Sequence, residues 1–323
     1  MTEKKKQRAW GRWVVLAAIL GGLYLFYVAK IPYIMPAVFL PAEKVFEIGG
    51  FPITNTLIAL LFVDIIVFGI AFGVKRAVAS GKQILSGIAG AVEALVGVLY
   101  DMAEGTAGKW VKSIFPWFVT IMLLVLVANW MELIPGVETI GRIEAADHGE
   151  YVSAPVVGPV TGIFKPAGEA KAHEAVEFIP YLRVVSSDLN FTLAIALVVV
   201  VMIQVFGIRA QGLGYFTKFW NTGTMFSKPI FGVIDFGVGL LEIVSEFSKI
   251  LSFAFRLFGN IFAGSVLLFV IGSLVPVFAQ SIFYLLEFFV GAIQAFVFGL
   301  LATTFMAQAT QGHGGEHHEE VQA

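Results

Sequence analysis

One stretch of the sequence decides the fold: PIFGVIDFGVGLLEIVSEFSKILSFAFRLFGNIFAGSVLLFVIGSLVP, residues 229–276. Its apolar part, residues 230–275, would extend about 69 Å as a single helix, against a hydrocarbon core of about 30 Å. Such a block either breaks into two helices or crosses the bilayer at a steep tilt. Because no proline interrupts it, we favour one inclined helix. A second apolar block, residues 277–307, follows directly, so we expect two long, tilted helices joined near Pro276.

The composition of the whole chain excludes a soluble globular protein. Of its 323 residues, 58% are hydrophobic and 14% are charged, whereas soluble domains are about 45–50% apolar and about 25% charged. A net charge of -2 excludes a basic nucleic-acid binder. The chain has no cysteine, five histidines and no Gly-rich phosphate loop, which excludes thiol chemistry and argues against a metal, a cofactor or a directly bound nucleotide. We therefore expect an all-α polytopic membrane protein.

Charged flanks order the other apolar runs across the bilayer. These runs are residues 13–29, 51–74, 114–130 and 189–208, which with the two C-terminal helices makes about six membrane helices. Basic residues before the first run place the N-terminus in the cytoplasm. A cleaved signal peptide has the same pattern, but no small-residue cleavage site follows, so we favour a retained helix. Residues 83–103 are typical of an amphipathic surface helix or a short hairpin.

These features predict three segments. Residues 1–50 form a basic N-terminal segment, an extra membrane helix and an outer loop. Residues 51–310 form a transmembrane domain, whose polar residues at about 136–188 are an extracytoplasmic loop. Residues 311–323 are a polar cytoplasmic tail rich in His and Glu.

A polar stripe is predicted around Arg256, the one charged residue between Lys249 and Glu287. At 100° per residue, several polar side chains lie within about 40° of Arg256 on the helix: Glu242, Ser245, Lys249, Ser252 and Asn260. An arginine at membrane depth costs at least about 2.5 kcal/mol and stays charged. It could snorkel to an interface or hold helices together, but this stripe favours a hydrated ion path.

The last helix carries a matching pattern. Gln280, Glu287 and Gln294 are spaced by seven, which places them on one face. A carboxylate without a charged neighbour in the sequence suits a proton relay, although such a polar seam can also fix helix register. Two weaker signals come from other spans: Asn129 and Glu132 share a helix face, and Asp64 lies mid-span, either on a proton path or as a partner for a basic side chain.

The segment Leu251-Ser-Phe-Ala-Phe-Arg-Leu-Phe-Gly-Asn-Ile-Phe-Ala-Gly264 closely resembles the signature of subunit a of the F-type ATP synthase, the stator half of its membrane proton channel. Further matches cover roughly residues 50–310: Asn-Trp-Met-Glu-Leu-Ile-Pro at 129–135, Leu-Arg-Val-Val-Ser-Ser-Asp-Leu-Asn at 182–190, and Ile-Gln-Ala-Phe at 293–296. Leu241-Glu242 and Ser248-Lys249 also lie at the family's distances before the arginine.

The resemblance implies two long, tilted helices against a rotating ring of c subunits, whose carboxylates meet the stator arginine between two offset half-channels. Arg256 would be that essential arginine, and Asn260 its neighbour at the ring interface. The outer half-channel would be lined by Glu287, Gln294, Asn129 and Glu132. The inner one would be lined by Glu242 and Ser252. Such a chain would have no catalytic activity of its own.

The resemblance also implies partners and a location. The partners would be the c-ring, the subunit b stator stalk and the lipid bilayer, and the location a bacterial plasma (inner) membrane. One position departs from the family pattern: Ser265 stands where many members carry a glutamate or a histidine that works with the position of Glu287. We therefore expect Glu287 to be the one titratable group of that pair. The loop at 137–181 is longer than a minimal member of the family would need. It could contact another stator subunit or simply be tolerated at the surface.

Two other classes of protein compete with this interpretation. A stand-alone proton- or cation-coupled transporter would normally show internal repeats with broken helices, and the sequence has no such repeat. A membrane-anchored structural scaffold of a respiratory or photosynthetic complex would not need the polar stripe around Arg256. Co-purification with a small, two-helix, oligomeric proteolipid would separate the three.

Overall fold

Six helices account for most of the residues that the computed structural model describes. The structure describes residues 42–79, 87–138, 140–145, 152–157, 160–164, 176–219, 229–274 and 278–311, with isolated positions between 13 and 24. The helices are α1 (Asn55–Ala79), α2 (Ile88–Ala107), α3 (Val111–Trp130), α4 (Leu189–Gln211), α5 (Pro229–Leu274) and α6 (Phe278–Thr310). Short 3-10 turns follow three of them, at Gly108–Trp110, Met131–Leu133 and Gly212–Lys218, and a fourth, Val185–Ser187, precedes α4.

Within these residues, five stretches are long and apolar enough to cross a membrane. They are Asn55–Ala79, Ala89–Leu133, Leu189–Lys218, Phe236–Gly272 and Ala279–Thr310. The prediction of an all-α polytopic membrane protein is therefore confirmed. The predicted first span, residues 13–29, lies for the most part outside the described residues, as does the predicted tail, so the count of about six stays a prediction.

The two C-terminal blocks each form one unbroken helix, as the missing interior proline predicted. Helix α5 has 46 residues and α6 has 33. Pro229 opens α5, where its missing N–H costs no hydrogen bond and its fixed φ suits the first helical turn. A helix of this length extends about 69 Å, more than twice the hydrocarbon thickness of about 30 Å, so it suits a tilted orientation.

The other predicted spans are helical with shifted ends. The second span begins at Asn55, because residues 51–54 pair in a strand, and it continues to Ala79. Helix α4 begins at Leu189 because the side chain of Asp188 accepts a hydrogen bond from the Asn190 N–H at 2.9 Å and caps the helix. Residues 83–103 were predicted to form an amphipathic surface helix or a short hairpin. The structure describes these residues from position 87 onward, and they form a helix that starts at Ile88.

Short antiparallel strands lie outside the helices. They are β1 (Lys44–Ile48), β2 (Phe51–Thr54), β3 (Pro135–Glu138), β4 (Gly141–Ala145), β5 (Val152–Val157), β6 (Val160–Phe164) and β7 (Val176–Pro180). Strand β1 pairs with β2, β4 with β7, and β5 with β6. The β1–β2 turn uses Gly49 and Gly50 at φ 58° and 85°, values that glycine adopts without a steric cost. The polar region predicted as a loop thus contains two antiparallel strand pairs, of which β5–β6 is a hairpin and β4–β7 joins strands distant in the sequence.

The chain divides into two structural units. The first unit comprises Met1–Ala59, Trp130–Ser187 and Ile261–Val290. Inside it, buried Asn55 donates from Nδ2 to the Pro180 carbonyl at 3.3 Å. Arg142 donates to the Val45 carbonyl at 3.0 Å, which ties β4 to β1.

The second unit comprises Leu60–Asn129, Asp188–Asn260 and Gly291–Ala323. Its core contains Phe118, Phe206 and Phe298, each no more than 1% exposed. A Cβ atom at Gly299 would meet the Phe118 ring at 2.8 Å, so glycine permits the close approach of α6 to α3. In the same unit Phe253 of α5 packs edge-to-face against Phe298 of α6, with ring centroids 5.0 Å apart.

Candidate functional site

Arg256 lies on an exposed side of α5 in the second unit. Its Nη2 atom donates a hydrogen bond to the Ser252 hydroxyl at 3.3 Å, one helical turn earlier. Ser245, Ser252 and Asn260 are exposed as well, whereas Glu242 and Lys249 of the predicted stripe are half-buried. The guanidinium is therefore available to a group outside this chain.

A pocket of about 260 Å³ runs beside this arginine. Its lining combines three hydroxyl groups, two cations and three apolar side chains: Ser245, Ser248, Ser252, Lys249, Arg256, Phe253, Leu301 and Phe305. Hydroxyl and cationic groups can hold water or an anionic group, whereas the aromatic wall excludes bulk solvent. The pocket therefore places hydroxyl and cationic groups next to Arg256 in a mostly apolar cavity.

Asn260 connects α5 to α6 within the second unit. Its Nδ2 atom donates to Gln294 Oε1 at 3.5 Å. Gln294 is 7% exposed, and its Nε2 atom has no hydrogen-bond partner among the described residues. Burial of a hydrogen-bond donor without a partner costs free energy. The Gln294 amide group is therefore a position where a water molecule or a transferred group can bind.

An ion network lies two to four turns before Arg256 on α5. Lys218 Nζ lies 2.7 Å from Glu242 Oε1 and 3.0 Å from Glu246 Oε1. Lys249 Nζ lies 2.9 Å from the same Glu246 oxygen. Glu246 is 8% exposed. A buried carboxylate needs an opposite charge, and the ammonium groups of Lys218 and Lys249 supply it. Glu242 was predicted to line the proton path, but its partner Lys218 was not predicted.

In the first unit, Ser265 and Gly264 bring two carboxylates together. The Ser265 hydroxyl donates to Glu132 Oε1 at 2.7 Å. A Cβ atom at Gly264 would collide with the carboxyl group of Glu287, so the glycine leaves room for that group against α5. Glu287 is 7% exposed, and its Oε2 atom has no hydrogen-bond partner among the described residues. Glu132 and Glu287 also interact electrostatically.

Glu287 was predicted to be the one titratable group of its pair with position 265, and the structure adds a neighbour to that pair. Serine at 265 does lack a charge, but its hydroxyl reaches Glu132, which lies in the 3-10 turn Met131–Leu133 after α3. The site thus has two carboxylates.

Glu138, at the end of β3, is another carboxylate of the first unit, and it was not predicted as a site residue. Its Oε1 atom accepts a hydrogen bond from the Val184 N–H at 3.2 Å. Burial raises the pKa of Glu138 above its usual value of 4.5, and the Val184 hydrogen bond and the nearby charge of Arg183 offset part of that increase. Glu138 also interacts electrostatically with Glu132.

The remaining predicted residues occupy separate places. Asn129, 3% exposed, donates from Nδ2 to the Gly291 carbonyl at 3.1 Å and so connects α3 to α6 in the second unit. Asp64 is half-buried in α1, between a fully buried Val63 and an exposed Ile65. Gln280, the first member of the predicted seven-residue series, is half-buried near the start of α6.

Glu246 and Glu138 were not predicted as site residues. The sequence contained a signal for Glu246 but none for Glu138. Glu246 and Lys249 are three apart, a spacing that joins side chains along a helix face, but Glu246 lies outside the 40° stripe around Arg256. Glu138 follows no helical period, because it lies in a strand between turns. Its environment depends on the chain segment at 182–184.

Five membrane-length apolar stretches among the described residues, with polar side chains gathered along α5 and α6, define a multi-pass membrane protein. A family model described as ATP synthase A chain matches residues 56–307. The chain therefore belongs to the ATP synthase A chain family.

One curated relative is the ATP synthase subunit a of Aliarcobacter butzleri (strain RM4018). It is 29% identical to this chain over 197 residues, which is 60% of this chain and 63% of the relative. The match thus spans slightly less than two thirds of the relative's length.

Proposed function

We propose that this chain is the proton-translocating stator subunit of the membrane sector of an F-type ATP synthase. It provides two offset half-channels to the carboxylates of a c-ring, with Arg256 as the essential arginine between them. Its partners are that c-ring, a subunit b stator stalk and the bilayer, and its location is a bacterial inner membrane. Family membership and the exposed position of Arg256 support this function.

The exposure of Arg256 is the observation that carries the proposal. A charged guanidinium on an intramembrane helix is costly unless an opposite charge meets it. Within its own unit it contacts a neutral hydroxyl, that of Ser252. Large apolar side chains of α5 near it are also exposed, among them Leu251 at 53% and Phe255 at 54%. A partner with apolar helices and one buried carboxylate per subunit fits both features.

The arginine acts on each ring carboxylate electrostatically. A permanent positive charge lowers the pKa of an approaching carboxyl group, which favours release of its proton. The same charge repels a free proton and so prevents a direct leak between the half-channels. Arginine suits this role because it does not release its own proton under these conditions.

Two groups of residues line the half-channels in this proposal. The outer half-channel uses Glu287, Glu132, Asn129 and Gln294, and the Ser265 hydroxyl and the Gly264 gap support its two carboxylates. The inner half-channel uses Glu242 and Ser252 together with the pocket beside Arg256. Asn260 lies next to Arg256 on the ring side and donates to Gln294.

Replacement of the arginine tests the function. Arg256→Ala should abolish proton-driven ATP synthesis while the complex still assembles. Arg256→Lys should fail too, because lysine lacks the planar fork and can lose its proton. Arg209→Ala is the matched control, since Arg209 lies exposed in the last turn of α4, outside the proposed site.

The readouts are ATP synthesis in membrane vesicles and co-purification of the c subunit with the tagged chain. Normal synthesis by the Arg256→Ala complex would overturn the assignment. Failure of the wild-type chain to retain a c-ring would overturn it as well.

A further inference from the structure

Glu138 has an unusual backbone conformation. Among the described residues it is the one non-glycine residue with positive φ, at 61°. This left-handed region costs a residue with a side chain about 1–3 kcal/mol, so it persists where the surroundings impose it, often at functional sites.

Two hydrogen bonds impose this conformation on Glu138. Its own N–H donates to the Leu182 carbonyl at 3.0 Å, and its Oε1 atom accepts from the Val184 N–H at 3.2 Å. Val184 is fully buried, and Val137, the neighbour of Glu138, is 9% exposed. These two bonds hold half-buried Glu138 and its carboxyl group against the chain segment at 182–184.

The charged and titratable groups that interact electrostatically with this carboxyl group are Glu132, Arg183 and Tyr284. Glu132 in turn interacts with Glu287 and accepts the Ser265 hydrogen bond. The three carboxylates thus form a series in which Glu132 is electrostatically coupled to both of the others. Glu138 is the member that lies outside the membrane-length stretches.

We propose that Glu138 is an additional proton relay of the outer half-channel, which takes a proton from the outer water phase and passes it to Glu132. This inference rests on the proposed function above. The O–H bond of protonated Glu138 breaks as a proton moves, directly or through a water molecule, to a carboxylate oxygen of Glu132. The Glu138 carboxylate then takes its next proton from water. Nothing is oxidised or reduced in this exchange.

Burial of Glu138 suits this exchange chemically. Because burial raises its pKa above 4.5, the carboxyl group holds a proton nearer to neutral pH than an exposed glutamate would. Proton transfer is most efficient when the pKa of the relay group lies near the working pH. Glu138 can therefore load a proton when the outer phase is only weakly acidic.

The test compares two variants in the intact ATP synthase reconstituted into proteoliposomes. The lumen corresponds to the outer phase, and ATP synthesis is measured as luminal pH is varied. Glu138→Gln keeps an oxygen that can accept the Val184 hydrogen bond but cannot exchange a proton. Glu138→Asp keeps a titratable group, and aspartate tolerates the left-handed backbone better than most residues.

We expect Glu138→Gln to slow synthesis about tenfold near luminal pH 8, with a smaller loss as the lumen is acidified and water supplies protons by a parallel route. Glu138→Asp should keep the wild-type pH profile. An unchanged rate and profile in Glu138→Gln would overturn the relay. Equal slowing of both variants at every pH would also overturn it, because Glu138 would then only hold the segment at 182–184.

Arg256→Ala in the same proteoliposomes separates the two proposals. If Arg256→Ala is inactive while Glu138→Gln behaves as wild type, the relay fails and the proposed function stands. If Arg256→Ala is active, the proposed function itself fails.

Discussion

The side-chain hydroxyl of Ser265 donates a hydrogen bond to Oε1 of Glu132 at 2.7 Å, between residues that are 133 positions apart in the sequence. The next residue before it, Gly264, leaves room for the carboxyl group of Glu287. Position 265 lacks a titratable group in this chain. Its hydroxyl nevertheless binds the carboxylate of Glu132, which follows α3, next to the glycine that contacts Glu287.

Ser265→Ala removes the donor and leaves Glu132 without this hydrogen bond. We expect proton-driven ATP synthesis to fall about three- to tenfold, because a hydrogen bond contributes about 1 kcal/mol and 1.36 kcal/mol corresponds to a tenfold change in rate. Ser265→Thr keeps the hydroxyl and serves as the control. Equal rates in the alanine variant and the wild type would show that the Glu132 contact has no part in transport.

Glu287→Gln removes a titratable group from the outer site while nearly preserving its shape. We expect proton pumping to slow strongly and to lose part of its dependence on outer pH. A histidine at position 265 in this variant (Ser265→His) should restore part of the flux, because imidazole titrates near neutrality. The measurement is proton pumping in inverted vesicles over a pH series. An unchanged rate and profile in Glu287→Gln would reduce this residue to a packing role.

Glu246→Gln should destabilise the purified complex more than Glu242→Gln does. Glu246 balances both Lys218 and Lys249, whereas loss of the Glu242 charge leaves Lys218 paired with Glu246. Leaving a mostly buried charged group with a weaker partner costs about 1–3 kcal/mol. Thermal unfolding in detergent measures this, and a larger loss of stability in Glu242→Gln would contradict the assigned role of Glu246.

The pH dependence of stability should contain a contribution from Glu138. Since burial raises its pKa above 4.5, the folded chain binds this proton more tightly than the unfolded chain. The contribution is complete below pH 4.5 and is lost as pH rises through the raised pKa. Relative to Glu138→Gln, the wild type should therefore gain stability as pH falls toward 4.5. A constant difference in melting temperature across this range would contradict the raised pKa.

Composition and hydrophobic patterning were sufficient to predict the long helices. Each long apolar run of the described region is a helix, because a backbone in hydrocarbon must satisfy its own hydrogen bonds. The unbroken length of α5 followed from the absence of an interior proline. The antiparallel strand pairs β4–β7 and β5–β6 were not predicted, since short polar strands carry a weak periodic signal and their pairing depends on other segments.

The sequence by itself determined the membrane helices and the Arg256 stripe, because these depend on local composition and on the fixed 100° step of a helix. Only the tertiary structure decided which carboxylates share a site. Glu132, Ser265 and Glu287 come from three separate segments, and no helical period relates them. The left-handed backbone of Glu138 likewise depends on hydrogen bonds to residues 182 and 184. Contacts of this kind arise when distant segments pack together, so the spacing of residues within one segment cannot specify them.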